Sequence, residues 1–68
     1  MQKLTDYRVK ITYTTNYTLF SNITESYTKM ARTEREANQI ASSEAYTLRA
    51  RGNININTQV TPHTYTLP

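Results

Sequence analysis

The sequence has no cysteine, no tryptophan and only one glycine, Gly52, in 68 residues. Without cysteine, neither a disulfide nor a thiolate zinc site can stabilise the fold. A chain of this length buries only about 60% of the surface that its unfolded form exposes, so its core is small. Small domains without covalent or metal support gain stability by association. We therefore expect a homo-oligomer, most simply a dimer.

Long apolar runs are also missing. Hydrophobic residues make up 37% of the chain, and no stretch approaches the roughly 18 apolar residues of a membrane span. The segment from Met1 to Asp6 lacks the basic start and apolar run of a secretion signal. These absences predict a cytoplasmic protein with no membrane partner, in the host cell cytoplasm if a phage encodes it.

Catalytic groups are scarce. The single histidine, His63, lies in a proline-containing tail without a second group to activate it. Glu34 and Glu36 are two residues apart in a predicted helix, where side chains do not face each other. There is no glycine-rich phosphate loop and no metal-ligand spacing. We expect neither an enzyme nor a cofactor or metal site.

Alternating apolar and polar residues predict two strands. Tyr7, Val9, Ile11 and Tyr13 alternate with polar residues and indicate a half-buried strand over about residues 5–14. β-branched and aromatic residues predict another strand over about 17–32, either continuous or broken near Asn22 to Ser26.

A further strand is predicted over about residues 53–61. It would place Ile54, Ile56 and Val60 on one face and Asn55 and Asn57 on the other. Pro62 limits further ladder pairing. Residues 62–68 would then form a tail that either exchanges onto a neighbouring chain or frays.

One helix is predicted over about residues 33–51. Thr33 and Glu36 form a capping box at its start. Apolar residues then recur every three or four positions, as on the buried stripe of an amphipathic helix. Gly52 suits a left-handed cap at the C-terminal end.

The order β-β-α-β predicts one small α+β domain over residues 1–68, with an antiparallel sheet covered on one face by a single helix. The residues expected in the core are apolar and lie on the faces turned towards each other. They are Val9, Ile11, Tyr13, Leu19, Met30, Ala37, Ile40, Ala41, Leu48, Ile54, Ile56 and Val60.

The uncovered sheet face is the candidate binding surface, because the formal net charge is +3 and basic residues alternate with the apolar ones. Lys and Arg attract phosphates, Asn and Thr donate hydrogen bonds, and tyrosine stacks on unpaired bases. Arg32 and Arg35 lie at the positive end of the helix dipole, where a cation gains nothing from the helix. The predicted partner-binding residues are Arg8, Lys10, Tyr27, Lys29, Arg32, Arg35, Asn55 and Asn57. The alternative is a solvated face whose charges prevent strand pairing with other chains.

Residues 31–44 resemble the strand-to-helix junction of small phage-encoded inhibitors of host defence, the short type I-F anti-CRISPR proteins in particular. The resemblance lies in Ala31-Arg32-Thr33 leading to Ala37, followed by Ile40-Ala41-Ser42 and Glu44. It implies a small sheet with one helix and a non-catalytic inhibitor that docks on a CRISPR surveillance complex. DNA-mimicking members are acidic whereas this chain is basic, which favours occlusion by protein contact or engagement of nucleic acid.

Three functions therefore remain open at the level of sequence. The first is a small phage or mobile-element protein that inhibits a host macromolecular complex by binding to it through the basic sheet face. The second is a module that binds nucleic acid directly. The third is a self-assembling structural subunit or one that binds a small ligand.

Overall fold

The computed structural model describes residues 2–15 and 23–67 of the chain. Its elements are β1 (Gln2–Thr14), β2 (Thr24–Ala31), α1 (Glu34–Ala50) and β3 (Ile54–Leu67). The predicted α+β class and the β-β-α-β order are confirmed. The part of the predicted second strand over residues 17–22, which includes the expected core residue Leu19, lies outside the described residues.

The three strands form one antiparallel sheet in the order β2-β1-β3, with β1 in the centre. The apolar alternants of β1 face α1, and Val9 and Ile11 are completely buried. Small residues of the helix, Ala37 and Ala41, allow it to lie close to the sheet. The buried cluster is Val9, Ile11, Ala31, Ala37, Ala41 and Leu48, with Tyr7, Tyr13, Tyr27, Ile40, Ile56 and Val60 packed against it.

Both predicted ends of the helix are confirmed. The hydroxyl of Thr33 accepts a hydrogen bond from the backbone N–H of Glu36 at 3.1 Å. The Glu36 carboxylate reaches back to the backbone N–H of Arg32 at 3.4 Å, one residue before the N–H that it accepts from in a standard capping box. At the other end, Gly52 has a φ of +91°, and its N–H donates to the carbonyl of Arg49 at 3.0 Å. Glycine adopts this left-handed conformation without steric cost.

The predicted end of the last strand is wrong, because β3 continues through Pro62 to Leu67 along β1. The backbone N–H of Thr15 donates to the carbonyl of Ile23, so odd-numbered residues of β1 direct their backbone groups towards β2. Tyr7 is odd-numbered, and Pro62 is its partner in β3. This is therefore a pair without ladder hydrogen bonds, in which the missing N–H of proline costs nothing.

Ile54 does not belong to the core, although strict alternation predicts it there. Asn57 pairs with Thr12 but Ile54 pairs with Thr14, so β3 has one extra residue at this point. Asn55 takes a φ of +54° within this bulge, which asparagine tolerates better than most residues. The bulge turns Ile54 to the uncovered face, where it is 39% exposed.

Met30 was also predicted in the core and is instead 52% exposed. It pairs with Arg8, whose side chain points away from the helix. The next residue, Ala31, pairs with Tyr7 and is buried. Within β2 the alternation of apolar residues is weak, so pairing with β1 decides which residues face the helix.

The molecule is elongated, with a radius of gyration of 14.9 Å and a longest dimension of 55 Å. A compact domain of this length has a radius of gyration of about 11 Å. β2 ends opposite Tyr7, whereas β1 and β3 continue side by side from there and lengthen the sheet in this direction. Residues 2–6 pair with residues 63–67 in a two-stranded extension that we call the arm.

Candidate functional site

The face of the sheet turned away from α1, which we call the open face, carries the even-numbered residues of β1. Cross-strand pairing groups them into rows. One row contains Thr61, Arg8 and Met30, and the next contains Gln59, Lys10 and Thr28. Lys10 is therefore flanked by polar side chains on both sides and Arg8 on one side, and this arrangement can bind an anion through charge and hydrogen bonds together.

Arg8 and Lys10 are both exposed. The one ion pair among residues 2–15 and 23–67 joins Lys29 to Glu44, so neither cation of the open face is neutralised by a contacting carboxylate of the described chain. Asp6, one row further along, is the nearest acidic residue on the same face. The open face therefore presents two adjacent positive charges near its centre.

Tyr27 and Lys29 were predicted on the open face, and this placement is wrong. They pair with Ile11 and Val9, whose side chains are buried against the helix. Directly paired residues of antiparallel strands share a face, so Tyr27 and Lys29 both lie on the helix side. Two of the eight predicted residues are thus separated from Arg8 and Lys10 by the sheet itself.

On the helix side these two residues contribute to the attachment of α1. Lys29 forms its ion pair with Glu44 of the helix, and the ring of Tyr27 meets that of Tyr13 edge-on at 6.1 Å. Burial, and secondly the charge of Glu44, raises the pKa of the Tyr27 hydroxyl. The hydrogen bond to Glu44 raises the pKa of Lys29. The contacts explain both residues as parts of the packing between helix and sheet.

Replacing Lys29 with glutamine should weaken the dependence of stability on alkaline pH. A lysine whose pKa is raised by folding stabilises the protein fully below its unfolded pKa, ordinarily 10.5, and this contribution is lost as the pH rises further. Urea unfolding at pH 7 and pH 11 should show a smaller loss of unfolding free energy for Lys29→Gln than for wild type. Lys10→Gln, which removes a lysine that forms no ion pair within residues 2–15 and 23–67, should behave as wild type. Equal losses in all three proteins would contradict the role given to Glu44.

The other predicted residues lie apart. Arg32 follows β2 and lies at the border of the open face, where it lines a cavity with Asp6, Met30 and Tyr65. Arg35 is on the outer surface of α1, on the same helix face as Tyr46 three turns further along, and on the far side of the molecule from the open face. The remaining two residues, Asn55 and Asn57, are in β3. Asn57 shares a row of the open face with Thr12, whereas Asn55 is the bulge residue. Of the eight predicted residues, the open face therefore brings together Arg8, Lys10 and Asn57, with Arg32 at its border.

Two aromatic residues of the open face were assigned to the tail and missed as site residues. His63 and Tyr65 pair with Asp6 and Leu4 of the arm. Their rings stack, with centroids 6.1 Å apart and planes inclined by 26°. The alternation of threonine with Tyr65 and Leu67 is the signal that could have identified this strand. The open face thus combines two cations with a stacked aromatic pair.

The described residues contain no group of three or more side chains suited to hold a metal ion. Within the same ranges, 2–15 and 23–67, α1 is neither long enough nor apolar enough to cross a membrane. Comparison with known protein families, curated proteins and solved structures yields no match to this chain.

Proposed function

We propose that the protein is a non-catalytic binding protein that docks the open face of its sheet on an anionic surface of a host macromolecular complex. The observation that carries this proposal is the pair Arg8 and Lys10, exposed and without a contacting carboxylate in the described chain. Exposed cations outside ion pairs keep their full electrostatic attraction for an incoming anion.

The surroundings of the two cations support docking on a polyanion rather than on an apolar surface. Their neighbours on the flanking strands are Thr61, Gln59 and Thr28, which can donate hydrogen bonds to carboxylate or phosphate oxygens. Met30 adds a partly exposed apolar contact beside Arg8. A mixed surface of this kind is common where two proteins meet.

The resemblance to short type I-F anti-CRISPR proteins suggests the biological setting of this binding. An inhibitor of that kind acts stoichiometrically and obstructs DNA binding by its target. Because this chain is basic, the proposal does not involve imitation of the negative charge of DNA. The proposed contact is instead to an acidic protein surface or to the nucleic acid held by the complex.

The test compares two double variants of equal net charge. Arg8→Gln/Lys10→Gln neutralises the open face, whereas Arg49→Gln/Arg51→Gln neutralises two exposed residues at the far end of the helix. Tagged proteins are incubated with host lysate, and the partner recovered by wild type is quantified. The open-face variant should recover less than about a tenth as much, because two charge-assisted contacts are worth about 1.5–3 kcal/mol each. The helix variant should behave as wild type.

Equal recovery by the two variants, or recovery by the open-face variant at the wild-type level, would refute the proposed binding face. Thermal unfolding of all three proteins checks that the folds are intact. The open-face variant should agree with wild type within about 0.5 kcal/mol because its substituted side chains are exposed. The helix variant should lose no more than about 2 kcal/mol, since Arg49 lies in the last turn of α1, where a cation interacts favourably with the helix dipole.

Direct binding of single-stranded nucleic acid is the second candidate, and the stacked pair of His63 and Tyr65 favours it. Aromatic rings beside cations on a sheet bind unstacked bases. Nuclease treatment of the lysate before capture distinguishes the two candidates. A protein complex that survives nuclease supports the first, and recovery that depends on nucleic acid supports the second.

A further inference from the structure

The arm leaves one strand edge uncovered. β2 ends at Ala31, opposite Tyr7, and no described strand pairs with residues 2–6 on that side of β1, although Arg32 lines a cavity with Leu4, Thr5 and Asp6 at the end nearest β2. Two-stranded ribbons are only marginally stable in water by themselves, and a third strand is normally needed. On the arm, Lys3, Thr5 and Thr64 are exposed and Leu4, Asp6 and Tyr65 are half-buried, since α1 packs over the part of the sheet near Val9 and Ile11. We call the open side of residues 2–6 the notch.

The backbone groups that point into the notch can be identified. Odd-numbered residues of β1 direct their N–H and C=O groups towards the β2 side, as the hydrogen bond from Thr15 to Ile23 shows. β1 pairs with β2 without any register shift, so the backbone groups of odd-numbered residues point to the β2 side along the whole of β1. Lys3 and Thr5 therefore present their backbone donors and acceptors to the notch. Such a row of groups is a template for a further strand.

We infer that the notch is filled by the same segment of a second copy of this chain, in an antiparallel pairing centred on Leu4. In this register Lys3 of each copy lies opposite Thr5 of the other. Each such pair exchanges both backbone hydrogen bonds, so every group that faces the notch is satisfied. The inference does not depend on the proposed function.

Neighbouring registers fit less well. Centring on Lys3 would place two lysines directly opposite each other, which destabilises a strand pair. Centring on Thr5 would require Lys3 to pair with Tyr7, whose position beside β1 is already occupied by Ala31. Centring on Gln2 would leave the backbone groups of Thr5 without a partner, and centring on Asp6 would require Thr5 to pair with Tyr7, which is already paired with Ala31. The length of the notch thus selects the Leu4 register.

The side chains of this register are compatible with a stable contact. Leu4 meets its own symmetry mate on the open face, with Tyr65 paired behind it on β3. Asp6 lies opposite Gln2, and no like charges are directly opposed. An apolar contact surrounded by polar residues is the usual composition of a small interface.

The inferred dimer has a consequence for binding. Directly paired residues share a sheet face, so the twofold axis is perpendicular to the sheet and both open faces lie on the same side. The two copies of Arg8 and Lys10 would then belong to one continuous surface. Such a bivalent surface binds an extended polyanion more tightly than either copy alone.

A single cysteine tests the register, because the natural chain contains none. At a pair without ladder hydrogen bonds the Cα atoms are about 4.5 Å apart, within the roughly 4.4–6.8 Å that a disulfide spans. Leu4→Cys should therefore form a covalent dimer under mild oxidation. Gln59→Cys is the control, since this exposed open-face residue lies about 20 Å along the sheet from the inferred axis. It should remain largely monomeric on a non-reducing gel.

Two variants at Thr5 test the pairing without cysteine. Thr5→Glu places a carboxylate opposite Lys3 of the other copy, and Thr5→Lys places a second ammonium there. Both lose the same hydroxyl contact between Thr5 and Thr64, so their difference reports the charge pairing. Sedimentation equilibrium at low salt should give a dissociation constant at least about fivefold lower for Thr5→Glu than for Thr5→Lys.

The expected result is a wild-type particle of twice the 7.9 kDa chain mass, cross-linking through Leu4→Cys, and the stated order of the Thr5 variants. A wild-type protein that stays monomeric at millimolar concentration would overturn the inference. So would a dimer that neither cross-links through Leu4→Cys nor responds to charge at Thr5, since its interface would then lie elsewhere.

Discussion

Truncation of Ile11 to alanine should lower the free energy of unfolding by about 2–5 kcal/mol, the usual cost of removing a large buried aliphatic side chain. Ile11 is completely buried in the central strand, between Tyr27 of β2 and Thr58 of β3. A 68-residue domain is stable by only about 3–10 kcal/mol in total, so the variant should be close to unfolded at room temperature. Urea titration followed by circular dichroism measures the effect.

Met30→Ala provides the matched control for this experiment. Sequence patterning places both residues in the core, but Met30 is 52% exposed on the open face. Its truncation should cost less than about 1 kcal/mol, because most of the removed surface is already in contact with water. If both variants lost similar stability, the assignment of Met30 to the open face would be wrong.

Enlarging Ala37 to leucine should destabilise the protein by about 1–3 kcal/mol. Ala37 is completely buried in the first turns of α1 where the helix meets the sheet. Three added carbon atoms have no space there, so the helix must shift away from β1 or the new side chain must take an unfavourable rotamer. Thermal unfolding of the variant should show a lower midpoint than that of the wild type.

Ala50→Leu makes the same chemical change at an exposed position of the same helix. Alanine and leucine have similar helix propensities, so its stability should stay within about 0.5 kcal/mol of the wild-type value. A comparable loss in both variants would mean that close contact between α1 and the sheet does not limit the size of residue 37.

The helix was predictable from sequence because its determinants are local. Thr33 and Glu36 lie within one turn of each other, and the left-handed conformation of Gly52 follows from its lack of a Cβ. The confirmed caps depend on these few residues and not on the sheet. β1 was predictable for a similar reason, since its alternation is strict over Tyr7 to Tyr13.

The composition of the open face was predictable only in part. Arg8 and Lys10 alternate with the most apolar residues of the chain, which determines their face without reference to other strands. Tyr27 and Lys29 have no such guide, because Met30 competes with Tyr27 as the inward residue of β2. The register with β1 resolved that competition in favour of Tyr27 and Ala31.

The sequence by itself determined the element order, the position and ends of the helix, and the polar face of the central strand. These features depend on interactions within a few residues of each other. Only the tertiary structure decided which face of β2 is buried, where the bulge turns Ile54 outward, and how far β3 runs past Pro62. Each of these depends on pairing between segments distant along the chain, where a shift of one residue exchanges the two faces of a strand.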